Sequence, residues 1–332
     1  MPAKYAIGID VGGTKVLASI VDVATGSIAG SAKKRSNPDD SPEELVEKLF
    51  SVVDEATTEA SLPKKAEITG IGVGIAGVVD SANGVLLSAP NLSQATVDLP
   101  LATLLSERYG VPARLLNDVQ VAAIGEAVFG AGAKVADFMC VFVGTGVGGA
   151  YLRDGKLIRG ATGSAGEIGH LIVDSGGRHC GCGGRGHLEA YASRTAITTD
   201  ILSAIKLGRR SVLTKLVPDI RTNSGALRSG VLAKAVEEKD ALAVEAIQDA
   251  GNYLGLGLAS VINLLNPTRI IIGGGVIESV PMLFEVAAKR AKRESLEVPG
   301  KAVEIVRAKL GDYSGVSGAA LLGSGDASQI TD

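Results

Sequence analysis

Twice in this chain an apolar, β-branched run stops at a glycine-rich turn carrying a threonine, then resumes as further apolar runs. "YAIGID", Tyr5 to Asp10, leads through "VGGTK" into "VLASIVD", Val16 to Asp22, and after "TGS" into another apolar stretch. "MCVFVGTGVGGAYLRDGKLIRG", Met139 to Gly160, repeats the order of strand, glycine turn, strand, turn, strand. A short meander of this kind cannot bury its faces alone, so the recurrence reads as one α/β unit duplicated, with its two glycine turns facing each other across a cleft.

The segments between fit that reading. "SPEELVEKLFSVVDEATTEA", Ser41 to Ala60, opens with Ser as N-cap, Pro at the first helical position and acids in the first turn. "ITGIGVGIAG" reads as a buried strand, and "ARLLND", Ala113 to Asp118, as another that enters the helix "VQVAAIGEAVFGAG". Further on, "SGVLAKAVEEKDALAVEAIQDAGNYLGLGLASVINLL" is helical, followed by the strand "RIIIGGG" and one more helix, while "KRSNPDD" and "VPDIRTNSG" read as loops.

At 332 residues the chain is long for one core, so two domains are expected. Lys plus Arg number 33 against 36 for Asp plus Glu, which leaves no basic excess to neutralise a phosphate backbone, and nucleic acid is not an expected partner. Neither a signal-peptide core nor an apolar run of membrane-spanning length is present, so a cytoplasmic protein that does not enter membranes is expected. Three cysteines make no disulfide framework and point to metal binding or plain burial.

The glycine turns carry the first chemistry. "DVGGTK" sets bare backbone amides where a strand reverses, Thr14 adds a hydroxyl, and Asp10 is placed to hold Mg²⁺. One Gly-Gly pair would be an ordinary hairpin; the acid at the strand end and the second turn "GTGVGG" favour a phosphate clamp. "IIIGGG" could admit an adenine or ribose against backbone, a weak signal alone. "LLND" could be a simple helix cap. Phosphoryl transfer to a hydroxyl, however, needs a carboxylate on a rigid element, and Asp118 is the candidate base with Asn117 orienting a neighbouring hydroxyl.

"GEIGH" sets Glu167 and His170 three apart, on one face if the segment is helical. His170, Cys180, Cys182 and His187 would offer four N and S ligands to a tetrahedral Zn²⁺, with no position open for chemistry and hence a structural role. The chain's three histidines all fall between residues 170 and 187, with two of its three cysteines. His179, adjacent to Cys180, is either a bystander or a rival to His187. Cys140 lies in an apolar run and reads as core.

"GIDVGGTK", "NDVQVAAIGE", "VGTGVGGAYLRDGKLIRGATGSAGEIGH", "CGCGGRGHLE" and "NLLNPTRIIIGGG", taken in order, resemble the ROK family of repressors, open reading frames and kinases, especially its bacterial glucokinase-like members. The likeness runs from about Tyr5 to Gly323. It implies a duplicated ribonuclease-H-like, actin/hexokinase-type α/β fold of two domains with a central cleft. The domains would be 1–117, with 312–332 packing back on it, and 118–311, which carries the zinc knuckle 170–187. It implies Asp118 as catalytic base, with Gly77, Asn91, Asn117, Glu167, His170 and Glu189 around a sugar. Gly12, Gly13, Thr14 and Lys15, with Thr145 and Gly146, would face phosphates, and Gly274 and Gly275 would border the adenosine of ATP. Zinc in the family is held by one His and three Cys; here His187 replaces the third Cys of the CxCGxxGC pattern. "APNLSQATVDLPL", Ala89 to Leu101, lacks a tryptophan that many relatives carry in this loop beside the sugar.

The resemblance implies an ATP- and Mg²⁺-dependent hexose kinase, glucose being the first candidate, assembled as a homodimer or homotetramer. Alternatives are mannose, fructose or an N-acetylhexosamine as acceptor, polyphosphate as donor, or a sugar-binding homologue without catalysis. A sugar-sensing repressor would carry a helix-turn-helix ahead of the first turn; few residues precede "AIGID", so a kinase is expected instead.

Overall fold

The first strands form where β-branched runs can stack across neighbours, and the glycine turn between them lets the chain reverse at once. The computed structural model describes residues 3–37, 39–89, 93–220, 225 and 227–331. β1 (Lys4–Val11), β2 (Val16–Asp22) and β3 (Ile28–Lys34) form the meander. α1 (Pro42–Glu59) begins on a capping box: the Glu44 amide donates to Ser41 Oγ at 3.2 Å, and the Ser41 amide to Glu44 Oε2 at 2.8 Å. Then follow β4 (Glu67–Ile75), β5 (Val78–Asp80), β6 (Val85–Ala89), β7 (Ser93–Leu99), α2 (Leu101–Tyr109), β8 (Ala113–Asn117) and α3 (Asp118–Val128).

The second pass repeats the pattern. β9 (Phe138–Val143), β10 (Val147–Arg153) and β11 (Lys156–Ile158) make the second meander, followed by a 3-10 turn at Ile168–His170. α4 (Glu189–Ala192), α5 (Arg194–Lys206), α6 (Leu213–Leu216), α7 (Ser229–Glu237) and α8 (Ala241–Leu265) lead to β12 (Arg269–Gly273). The chain ends with α9 (Gly275–Ser279), α10 (Pro281–Glu294), α11 (Glu297–Ala302), β13 (Glu304–Arg307), α12 (Ser314–Ser324) and α13 (Ser328–Thr331).

The first five-stranded sheet runs β3-β2-β1-β4-β8 and the second runs β11-β10-β9-β12-β13. Numbered within its own repeat, each sheet has the order third, second, first, fourth, fifth, which is the duplication inferred from the two glycine turns. In the first sheet β1, β4 and β8 are parallel, and register sets Val11 opposite Ile75 and Ile75 opposite Asn117. The first glycine turn and the Asn117–Asp118 corner therefore leave the same carboxyl edge of one sheet, where ligands of α/β folds bind. In the second, β12 is parallel to β9 and β13, and Gly273 pairs Phe142, so Gly144 and Gly274 leave its carboxyl edge.

Two compact units are present: residues 1–137, 150–166 and 308–332 in the first, and 138–149 and 167–307 in the second. α3, which the sequence reading assigns to the domain 118–311, packs with α12 in the first unit, where Glu126 of α3 and Ser314 of α12 are hydrogen bonded. The core of the first unit is built from Ile9, Ile20, Leu49, Val52, Ile71 and Val73, all fully buried. Ala89 to Leu101, read from sequence as a loop, contains β7. It pairs with β6 in a three-stranded sheet β5-β6-β7, Leu86 opposite Leu99. Among the described residues no helix is long and apolar enough to cross a membrane.

α12, "SGVSGAALLGS", lies against β1 and β4 with backbone on backbone. A Cβ on Gly8 would come 1.9 Å from the Val316 carbonyl oxygen, and one on Gly72 1.7 Å from that of Ala319. Neither neighbour is a flexible side chain, so the helix itself would have to move. Gly72→Ala is expected to cost at least about 2 kcal/mol. Gly230→Ala, in α7 with open space around it, should stay within about 0.5 kcal/mol of the parent or gain slightly. Denaturant unfolding of the two variants checks this, and equal stability would mean α12 is not held at backbone distance.

Candidate functional site

The first unit contributes a turn and a corner. Between β1 and β2 the Gly12 amide donates to the Lys15 carbonyl at 2.9 Å, and Ser36 Oγ donates to the Gly12 carbonyl at 2.6 Å. The Ser36 amide takes the Thr14 carbonyl at 3.4 Å. The carbonyls of Gly12, Thr14 and Lys15 are thus occupied, while among the described residues the Gly13 and Thr14 amides donate to none. Free donors with satisfied acceptors are what an anion requires.

Asp10, at the end of β1, reaches Gly315 at the start of α12; a Cβ there would lie 2.8 Å from its Cγ. Burial raises the Asp10 carboxyl to about 6; Lys15 opposes the rise and Asp312 adds to it. Lys15 Nζ is paired with Asp312 Oδ1 at 2.7 Å, and Lys33 approaches the same carboxylate at 3.6 Å. A desolvated carboxylate next to open amides suits a divalent cation that shares its other positions with phosphate and water.

Asn117 is a working helix cap: its Oδ1 accepts from the Val119 amide at 2.9 Å and the Gln120 amide at 3.4 Å. Asp118 is the first residue of α3, and its Oδ1 accepts from the Val119 amide at 3.0 Å, which fixes its carboxyl at the start of the helix. Gly77 is packed on β6, where a Cβ would meet the Ser88 carbonyl oxygen at 2.3 Å. Asn91 lies outside the described residues.

The second unit brings together the remaining candidates. Gly144 closes the second turn on the Gly146 carbonyl at 2.9 Å. Glu189, at the start of α4, accepts from the Val147 amide at 3.0 Å, and a Cβ on Gly146 would lie 2.3 Å from its Oε2. Gly274, with φ of +98°, sits against the backbone of Val143, so Thr145, Gly146, Gly274 and Gly275 border one edge. Sequence reading gave no hint that Glu189 is tied to the turn; a carboxylate two residues past a histidine carries no local signal of its partner.

Glu167 and His170 do not share an α-helical face, because the segment is a 3-10 turn at Ile168–His170 with Glu167 just before it. Gly169 tightens this turn onto the Val147 carbonyl, which a Cβ would meet at 2.0 Å. Burial raises the Glu167 carboxyl, His170 lowers it and Glu189 raises it. The three side chains therefore feel one another.

Ligand atoms of His170, Cys180, Cys182 and His187 lie within 4.8 Å of one another. The Cys180 amide donates to the Gly184 carbonyl at 2.9 Å and the Gly183 amide to the Cys180 carbonyl at 3.0 Å, making a tight loop around Cys182. Cys182 Sγ is 3.2 Å from His187 Nδ1, and the His170 and His187 rings cross at 74° with centroids 5.3 Å apart. His179 is directed elsewhere, its Nε2 2.7 Å from Arg185 Nη2. Of the two rival histidines, His187 is the one in the group. Two thiols and two imidazoles fit Zn²⁺ in number, type and spacing. Burial pushes the metal-free Cys180 thiol up to about 11, a cost that a bound cation reverses. Cys140 is buried in β9.

A model of the ROK family matches residues 6–325. A glucokinase of Halalkalibacterium halodurans is 30% identical over 96% of this chain and 94% of its own. A xylose repressor of Bacillus subtilis is 28% identical over 93% of this chain and 74% of its own. The solved structure of a ROK family glucokinase from Streptomyces griseus, in complex with glucose and AMPPNP, is 30% identical with a TM-score of 0.84, covering 96% of this chain and 99% of that one. The α/β architecture is accordingly the two-domain fold of actin/hexokinase type.

Two outcomes follow from the site's chemistry. Zinc-loaded protein should lose most of its metal and several degrees of thermal stability on His187→Ala, whereas His179→Ala keeps both; metal analysis with thermal melts decides, and the opposite ranking would reassign the ligand. In metal-free protein the native Asp10 carboxyl keeps its proton up to about pH 6, the unfolded one only to 3.8. The folded state therefore binds more protons in that window, and stability falls as pH rises through it, by about 3 kcal/mol. Unfolding of the Asp10→Asn variant between pH 4 and 7 should lack this component; identical profiles would refute the shifted carboxyl.

Proposed function

The chain belongs to the ROK family, and on that premise we propose that it is an ATP-dependent hexose kinase whose principal acceptor is the 6-hydroxyl of glucose. The observation that carries this reading is the first unit's carboxyl edge, where Asp10, the open amides of Gly13 and Thr14, and the Asp118 corner leave one sheet. Relatives named as glucokinases support the sugar kinase class.

Asp118 accepts the proton of the attacking hydroxyl, held at the rigid corner where β8 enters α3. Asn117, with its Oδ1 committed to the cap, is left its amide nitrogen to orient a second hydroxyl. Gly77, Asn91, Glu167, His170 and Glu189 hold the remaining sugar hydroxyls. The turn from Gly12 to Lys15, through the open amides of Gly13 and Thr14, and the turn at Thr145 and Gly146 hold the donor's phosphates, and Gly274 and Gly275 give the nucleoside bare backbone. Asp10 would hold Mg²⁺, which when bound offsets charge on the transferred phosphoryl group. His170, Cys180, Cys182 and His187 would hold a structural Zn²⁺ that fixes 170–187, so that Glu167, His170 and Glu189 keep their spacing. The proposal includes a cytosolic protein acting as a homodimer or homotetramer.

A second reading, a sugar-responsive regulator without catalysis, is favoured by the match to a xylose repressor across 93% of the chain. Release of ADP from ATP and Mg²⁺ over glucose, mannose, fructose and N-acetylhexosamines separates the two, with polyphosphate as an alternative donor. Glucose should be turned over fastest, and Asp118→Asn should lose at least about 100-fold in kcat while still binding sugar. Sugar binding without turnover of any donor, in folded zinc-loaded protein, would replace the kinase by the regulator.

A further inference from the structure

The second glycine turn is strapped by the start of α5. The Arg194 amide donates to the Gly144 carbonyl at 2.9 Å, and Thr195 Oγ1 donates to the Thr145 carbonyl at 2.8 Å. With Gly146 accepting from Gly144, every carbonyl of the turn is taken. The side chain of Arg194 then does something different: its Nη2 donates to Thr145 Oγ1 at 2.9 Å. A threonine hydroxyl has a single hydrogen, so accepting from a guanidinium turns that hydrogen toward another acceptor.

The charge balance points the same way. Arg194 is half-buried, and its guanidinium is disfavoured first by burial and then by Arg228, another cation. Among the described residues neither arginine makes an ion pair. Arg228 precedes α7, whose first residue, Ser229, lies 3.8 Å from where a Cβ on Gly275 would be. A second cation thus stands near the edge assigned to the nucleoside. Arg228 is exposed, so the larger cost is the desolvation of the half-buried Arg194, which a polyanion at the turn would offset. Arginine provides five donors, of which the bond to Thr145 uses one.

We propose that Arg194 is a positioning residue for the phosphoryl donor: it aims the Thr145 hydroxyl and supplies the charge that selects a di- or triphosphate at the second glycine turn. This rests on the kinase reading above and adds a residue to it. Thr145 touches the phosphates; Arg194 acts through it and through the field. Sugar recognition, carried by Glu167, His170 and Glu189, does not depend on Arg194.

The test uses zinc-loaded full-length protein with Arg194→Met, which keeps the apolar stem, and Arg194→Lys, which keeps the charge. KM for ATP and the dissociation constant of ADP should both rise about 10- to 100-fold in the Met variant, as for loss of one charge-assisted contact, with binding of adenosine and KM for the hexose unchanged. The Lys variant should recover part of the ADP affinity. Arg228→Ala should weaken ADP by a smaller factor. A Met variant within twofold of the parent for both ATP and ADP overturns the proposal. So does a loss spread equally over ATP, adenosine and hexose, which marks a structural residue. Wild-type protein that binds neither ATP nor ADP overturns the kinase reading itself, and this inference with it.

Discussion

The distance between α12 and the first sheet sets much else in the first unit. Helices usually stand off a sheet by the depth of two side-chain layers; here Gly8 and Gly72 let the backbone of α12 touch that of β1 and β4. That approach brings the start of α12 to the end of β1, which is why Asp10 is held against Gly315 rather than left in water. The resulting desolvation raises the Asp10 carboxyl to about 6. A packing constraint on glycines is thereby converted into the electrostatics of the first turn.

Polar groups inside the fold are satisfied to different degrees. Glu126 of α3 is fully buried, and its carboxylate accepts from the amides of Ala131, Lys309 and Leu310 and from Ser314 Oγ, at 2.7 to 3.1 Å. Its lone pairs are filled from within, so it is a structural tie between α3 and the approach to α12. The knuckle thiols are held more loosely, Cys180 Sγ donating to Glu189 Oε1 at 3.7 Å and Cys182 Sγ lying 3.2 Å from His187 Nδ1. Asp10 sits with its proton affinity raised, and two thiols face two imidazoles without an ion pair.

A glucokinase matches 96% of this chain and a xylose repressor 93%, so relatives named for catalysis and for repression share nearly its whole length.

The sequence alone carried whatever depends on neighbours along the chain. The Ser41 capping box, the glycine turn after β1, the cap at Asn117 and the duplicated strand pattern rest on local spacing, and all are legible without tertiary knowledge. The clustering of histidines and cysteines between 170 and 187 was equally plain. Ser93 to Leu99 became a strand because β6 offers it an edge, which no local pattern states. Glu167 and His170 met through a 3-10 turn pressed on Val147, not through helical spacing. His187 and not His179 joined the cysteines because the loop closed by Cys180 and Gly184 turns one ring inward and the other toward Arg185. The link from Arg194 to Thr145 spans 49 positions. Hydrogen bonds and desolvation act through space, so partners this far apart in sequence become known only when the chain has folded and the distance between them is set.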